Sequence, residues 1–493
     1  MPHASLTPPG VHPDRVRVLA DGPPLAAGPV VLWMQQAQRT RANPALAHAL
    51  AIGALLDRPV AVVVGLTPAY PEATARAYAF MLEGLREVRE DLAQRGIGFA
   101  VGLGEPPEVA LAAARLAAVL VVDRGYLRHQ RAWRARVAAE APCPVVQVEG
   151  DAVVPVDVAS GKAEYAARTL RPKLWRVLAD YLDPVPDAEP TVRWSGEPPP
   201  VAPFEDVAAA LSDPVGLRGR LGVDERVAPV SAMFPGGERA AAERLRRLVD
   251  DVLPSYADDR NQPQRDGVSY LGMHLHFGQV SPVEVLRRVQ AAADAARDAA
   301  GPTGAARDVA GVERGAAGFV EELLVRRELS LNHVERSEGY GTYAVLPAWA
   351  RRTLAAHASD PREHVYDDDA LLDGATHDPY WNAAMHEMRV TGYQHNYMRM
   401  YWGKKVLEWS ANPEQAYERL LGWNNRFLLD GRDPNSYAGV GWVFGLHDRP
   451  WAERAVFGTV RYMNAAGLRR KADPDSYVRK VEARVVALRG VGG

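Results

Sequence analysis

The chain has 493 residues, 47% of them hydrophobic, a single cysteine and a formal net charge of −3. That length carries roughly two or three domains with sizeable cores, and the lone Cys143 excludes an internal disulfide framework and any multi-cysteine zinc or iron–sulfur site. No run of about 18 apolar residues occurs, so no membrane span is expected, and the slightly acidic total gives no sign of nucleic-acid binding unless a local basic face is hidden in it.

Residues 1–27 are rich in proline and lack an apolar core segment, so they read as a flexible leader and not as a secretory signal. A soluble cytoplasmic protein is the expectation. Residues 28–158 alternate short β-branched runs (PVVLWM, PVAVVVGL, IGFAVGLG, AAVLVVD, CPVVQVEG) with helical patterns such as ATARAYAFMLEGLREVREDLAQ. This predicts an α/β domain, a Rossmann-like parallel sheet with flanking helices, whose ligands bind at the carboxyl ends of the strands. No G-x-G-x-x-G follows the first strand; Arg39, Arg41 and Asn43 lead instead into a helix. Residues 159–235 form an interdomain connection, first a helical piece whose Lys162, Arg168, Arg171 and Lys173 make a basic face, then a proline-rich surface segment.

Helical periodicity dominates residues 236–493, predicting an all-α domain. A low-complexity stretch at 291–318 reads as a surface insertion, helical at first and flexible around Gly301–Gly304. Before it, Gly267, Ser269, Gly272 and Gly278 punctuate a polar loop whose backbone amides can cradle a diphosphate, a helix-capping loop being the plainer reading. FVEELLVRREL places Glu321, Glu322, Arg326, Arg327 and Glu328 on a helix, by spacing alone a salt-bridged solvated face. Between Thr376 and Trp409 stand Trp381, Trp402 and Trp409; the last two are two helical turns apart, roughly 10 Å along one face. Spacing alone makes them core aromatics, but their neighbours Arg399, Lys404 and Lys405, and the polar-aromatic block from Asn424 to Trp442, point to a bound cofactor or polar ligand. From Asn435 onward Lys and Arg outnumber Asp and Glu, concentrated in Arg449, Arg454, Arg461, Arg469, Arg470 and Lys471. His274, His276, His386 and His395 form no metal motif.

The blocks THDPYWNAA, MRMYWGKKVLEW, LDGRDPNSYAGVGW and HDRPWAERAVFGTVRYMN, with EELLVRREL, EYAARTLRPK and RANPAL before them, closely resemble the class II cyclobutane pyrimidine dimer photolyases. The resemblance covers nearly the whole chain after the leader. It implies an FAD-binding helical domain that acts on UV-damaged DNA, a monomer without metal, and in some members an antenna chromophore of deazaflavin or folate type in the first domain. Carried over residue by residue, it implies that Tyr256, Ser269, Leu271, Arg399, Asp430 and Asp433 hold FAD in its reduced, anionic state, with Asn424 beside flavin N5. Trp402 would lie nearest the flavin, Trp381 next and Trp409 at the surface, passing electrons inward. Glu322 would face the lesion and hydrogen-bond its base carbonyl, needing a pKa that burial could raise if it is to donate a proton; Met400 and Trp442 would line the pocket, and Arg449 and Arg461 would approach the opened DNA. Two departures stand out: Gly272, Met273 and His274 replace an expected serine, proline and tyrosine, and Asn425 stands where aspartate is common. The alternative implied by the same family is a cryptochrome-like flavin photoreceptor without repair activity; repair of the six-four photoproduct belongs to a different branch.

Overall fold

A computed structural model describes residues 6–25, 27–195, 199, 201–300 and 306–491. The expected flexible segment at Gly301–Gly304 lies outside the described residues. In the first domain the strands are β1 (Val16–Ala20), β2 (Val30–Trp33), β3 (Val60–Leu66), β4 (Gly98–Leu103), β5 (Val119–Asp123) and β6 (Val145–Val148). They form one sheet in the order β1-β6-β5-β2-β3-β4, parallel from β2 to β6. Helices α1 (Pro44–Leu56), α2 (Ala75–Arg95), α3 (Pro106–Ala114) and α4 (Arg128–Glu140) connect them. In β2, Val30 and Leu32 enter one core cluster and Val31 and Trp33 another. A strand buried on both faces has no polar side to show, which is why these runs are continuously apolar.

The leader is not uniformly irregular. Residues 16–20, expected to be flexible, form β1 and pair antiparallel with β6. Arg15 anchors this strand from the buried side, donating to the carbonyls of Glu149 (3.4 Å), Ala152 (2.9 Å) and Val153 (2.6 Å). Composition missed it because an edge strand is stabilised by its partner's backbone as much as by its own apolar content. Cys143 is buried, and desolvation pushes its thiol up to about 11, so it is an inert packing residue.

The connection begins with α5 (Ala167–Val177) and then runs along the β4 edge, where Leu103 N–H donates to Glu205 O and Val207 N–H to Val101 O. This covers an otherwise open sheet edge. The second domain contains α6 (Leu253–Asp259), α7 (Gly272–His276), α8 (Pro282–Ala300), α9 (Ala306–Val320), α10 (Arg327–Arg336), α11 (Pro379–Thr391), α12 (Asn396–Trp409), α13 (Pro413–Phe427), α14 (Pro434–Val443) and α15 (Pro474–Val491), among shorter helices. Its main core gathers Trp381, Trp402, Trp409, Tyr401 and Tyr417.

The two domains are joined through α2. Arg76, 3% exposed, donates to the carbonyls of Ala228 (2.9 Å), Met388 (3.2 Å), Arg389 (2.7 Å) and Phe427 (2.7 Å), tying α2 to the ends of α11 and α13. Beside it Phe80 packs on Met273 and Phe277 of the α7 region.

Candidate functional site

The residues that the sequence assigned to a cofactor lie on α12, the end of α13 and loop 428–433, which meets loop 267–272 where Gly272 borders Asp430. α12 starts at Asn396 because His395 caps it, its Nδ1 accepting from Tyr397 N–H (3.2 Å). One turn in, Arg399 donates through Nη2 to both oxygens of Asp430 at 3.2 Å. The buried Nε of Arg399 and the indole N–H of Trp402 have no hydrogen-bond partner. An unpaired buried donor costs about 1–3 kcal/mol.

Loop 428–433 folds back on the end of α13. Gly431 lies so close that a Cβ there would come 2.5 Å from the carbonyl of Asn424 and 2.8 Å from that of Asn425. The loop thus sets Asp430 and the 2%-exposed Asn424 on one wall. Opposite them, Gly272 is exposed, and a Cβ on it would stand 3.5 Å from Asp430 Oδ2, an ordinary contact. Ser269 accepts the N–H of Leu271 (3.2 Å) on its Oγ and so shapes the turn into α7. Gly267 abuts Asp259 at the end of α6, the helix that carries Tyr256. Asp433 is committed elsewhere: Oδ1 caps α14 through Asn435 N–H (2.8 Å) and Oδ2 lies 3.5 Å from His276 Nδ1. Burial works to raise its pKa, but the His276 contact and the charge of Arg327 prevail and hold it below the ordinary carboxylate value.

The three tryptophans form a continuous series. Trp381 donates its indole N–H to the backbone carbonyl of Trp402 (3.0 Å), and the rings of Trp381 and Trp409 lie 5.4 Å apart. Trp409, expected at the surface, is 2% exposed. The seven-residue spacing does place Trp402 and Trp409 on one face of α12, but that face turns toward α11, and the segment before α11 closes over its end. Tyr366 and His377 cover Trp409 at ring distances of 5.4 and 5.3 Å. The outer terminus of the series is therefore the half-buried Tyr366, whose OH bonds His377 Nδ1 at 2.6 Å.

Glu322 sits on a π-helical turn, Glu321–Arg326, inserted between α9 and α10. Such one-residue widenings swing side chains off the regular helix face and recur at functional sites. Glu322 is 38% exposed and ion-paired to Arg260, which also bonds Tyr256. Glu322 is thus only half-buried, and Arg260, the residue that ends α6, reaches it.

Trp442, half-buried with Met400 at the edge of the main core, lies between two cations: Lys404 Nζ at 5.1 Å and the Arg461 guanidinium at 5.4 Å from its ring. Arg461 also covers Trp451 (4.0 Å), whose ring is covered in turn by Arg449 (4.3 Å). Asp448 fixes Arg461 with bonds of 2.8 and 3.0 Å. Alternating indoles and cations stabilise one another by about 0.5–2 kcal/mol per contact. Sequence reasoning missed Trp451; the signal available was an indole between arginines in HDRPWAER.

A family model described as DNA photolyase matches residues 30–191. The chain is 41% identical to a deoxyribodipyrimidine photo-lyase of Methanothermobacter thermautotrophicus, over 96% of this chain and 98% of the relative. It is 37% identical to the enzyme of the same name from Oryza sativa subsp. japonica (98% and 95% covered) and 37% to that of Potorous tridactylus (92% and 81%). The chain belongs to the DNA photolyase family. A bacterial class III photolyase from Agrobacterium tumefaciens shares the fold, with a TM-score of 0.65 at 20% identity over 93% of this chain and 87% of that one.

Within this photolyase, Met273 and His274, two of the three departures, face the domain junction and not the cleft. His274 packs against Phe80, the rings tilted with centroids 5.0 Å apart, and bonds Gln279 Oε1 at 2.9 Å; burial drives its pKa down to about 4, so it is neutral at pH 7. Only Gly272 borders Asp430. A cavity of about 100 Å³ opens at the carboxyl ends of β2 and β3 and is lined by Met34, Gln36, Tyr70, Trp133 and Arg432 among others. Arg432 is 3% exposed and its Nη2 has no partner. No group of three or more His, Cys, Asp or Glu among the described residues is placed to hold a metal ion, and no described helix is long and apolar enough to cross a membrane.

Proposed function

We propose that this photolyase is a class II enzyme that repairs cyclobutane pyrimidine dimers in DNA, with FAD as the light-absorbing electron donor. What supports this reading is the ion pair of Arg399 with Asp430, the packing of loop 428–433 on the Asn424 carbonyl, and the buried tryptophan series headed by Trp402 on the helix that carries Arg399. FAD, when bound there, supplies the excited electron and takes it back after the ring of the dimer has split. Arg399 supplies a fixed positive charge that favours the anionic reduced form. Trp402, Trp381 and Trp409 provide a path for reducing an oxidised cofactor from outside, ending at Tyr366. Tyr256, Ser269 and Leu271 build the adjoining wall around the loop of exposed Gly272.

Glu322 offers a carboxylate to the base edges of an extruded dimer, and Met400 and Trp442 offer it apolar faces, with stacking worth about 1–3 kcal/mol per base. A dimer stacks poorly in the duplex, so extruding it costs less than extruding normal bases. Trp451, 36% exposed between Arg449 and Arg461, is shaped to occupy the gap an extruded dimer leaves, with the two arginines against phosphates. The cavity at the carboxyl ends of β2 and β3 is where an antenna chromophore of deazaflavin or folate type would sit, with Arg432 as its cationic contact.

The test is repair of a dimer-containing oligonucleotide by chemically reduced protein, in light and in darkness, with the absorption spectrum recorded first. A flavin spectrum with light-only restoration of the bases is the expected result. Flavin without repair would assign the chain to the photoreceptors, and a colourless protein that takes up no FAD would refute the cofactor reading.

A further inference from the structure

Asn425, adjacent to Asn424, is 0% exposed and has no freedom to turn its amide. Two neighbours fix that amide independently. The backbone N–H of Arg432 can only donate, so the atom 2.9 Å from it is the carbonyl oxygen Oδ1. The carboxylate of Glu72 can only accept, so the atom 2.6 Å from its Oε2 is the amino group Nδ2. Both demand the same orientation, which settles which end of the amide points where. The same Oδ1 lies 3.4 Å from Asn424 Nδ2. Facing an acceptor, Asn424 must present its amino group there, which leaves its own Oδ1 as the end that meets a ligand.

We propose that Glu72 and Asn425 form a relay across the domain boundary that fixes Asn424 with an acceptor oxygen toward the flavin, favouring cofactor that carries hydrogen on N5. The inference rests on Asn424 being the residue beside flavin N5. A flavin with hydrogen on N5 donates and is matched; one without it presents a lone pair to an oxygen and is disfavoured. The relay begins in the first domain: Glu72 lies in the loop between β3 and α2 and is held at a φ of 58°. The charged and titratable groups that face it are Arg432 and Tyr437. An aspartate at 425 would set two carboxylates against each other at this distance, so Asn425 and Glu72 belong together as a pair, and the departure at 425 has a partner 353 residues away.

The experiment measures the midpoint potential of bound FAD against pH in the full-length, flavin-loaded wild type, in N425D, in E72Q and in N425D/E72Q, with thermal melts of each. Two carboxylates in contact cannot both ionise freely. N425D is therefore expected to add a break to the plot and a downward step in potential above it, while melting as a folded protein. In N425D/E72Q the glutamine amide donates to the carboxylate introduced at position 425, and the break disappears. E72Q alone, which keeps an oxygen for Asn425, shifts the potential less than N425D. A folded N425D with the wild-type plot, or a break that survives in the double variant, overturns the relay. A wild type that binds FAD and repairs dimers alongside an unperturbed N425D overturns the relay only; a wild type that binds no FAD overturns both it and the proposed function.

Discussion

Two side chains show how environment, and not residue type, assigns a role. Glu322 pairs with Arg260 at the rim and is not sealed in the core. Glu322→Ala should lower the repair yield about tenfold, close to 1.4 kcal/mol in the barrier, with the flavin spectrum unchanged; quantum-yield measurement on reduced enzyme checks this, and an unaltered yield removes Glu322 from the mechanism. Lys404 is fully buried behind Trp442, and desolvation drives its pKa from an ordinary 10.5 down to about 7, against the opposing pull of Asp448. Between those values the unfolded chain holds a proton that the folded chain has shed. Stability contributed by this site therefore rises with pH across that window. Lys404→Met should flatten the rise, read from denaturant unfolding at about pH 7 and about pH 9, where the wild type gains and the variant does not.

At the scale of elements, α11 and α12 hold the tryptophan series proposed as the electron path because their shared face is aromatic and their ends are capped. Asp378 caps α11 through Tyr380 and Trp381 N–H groups, which fixes Trp381 against α12. The link from Trp381 runs to the backbone carbonyl of Trp402, and the Trp402 indole N–H is itself unpartnered in the protein. Trp402→Phe thus removes no internal hydrogen bond and leaves the packing of α11 on α12 in place. Photoreduction of oxidised enzyme should slow by about an order of magnitude, followed by flash absorption, while repair by chemically reduced enzyme stays near wild type. Equal loss of both would contradict the path. The π-helical turn at Glu321–Arg326 belongs to this scale too: a regular α-helix through EELLVRREL would rotate Glu322 relative to the helix that follows it.

Across the whole molecule, the first domain does more than pack against the second. Arg76 ties two backbone segments of the helical half, and one of the connection, to α2, and Glu72, four residues earlier, touches Asn425. Burial lowers the Arg76 pKa to about 9, a cost offset by the four backbone carbonyls it bonds. Arg76→Met should destabilise the protein by about 3 kcal/mol, seen as a lower denaturation midpoint, and should loosen FAD as the α13 end relaxes. The α/β and helical halves were legible in the residues alone, because short continuous apolar runs and period-3.6 burial are local patterns, and contiguous motifs were enough to single out Arg399 with Asp430, Trp442 and the basic tail. Out of sight stayed β1, the Arg260 partner of Glu322, the inward turn of Trp409 and the Glu72–Asn425 contact. Each of these depends on atoms brought together from distant parts of the chain: a strand needs its neighbour's backbone, an ion pair its counter-charge, and an amide its fixed donors and acceptors. Those partners lie tens to hundreds of residues away, and no local pattern encodes them before the chain has folded.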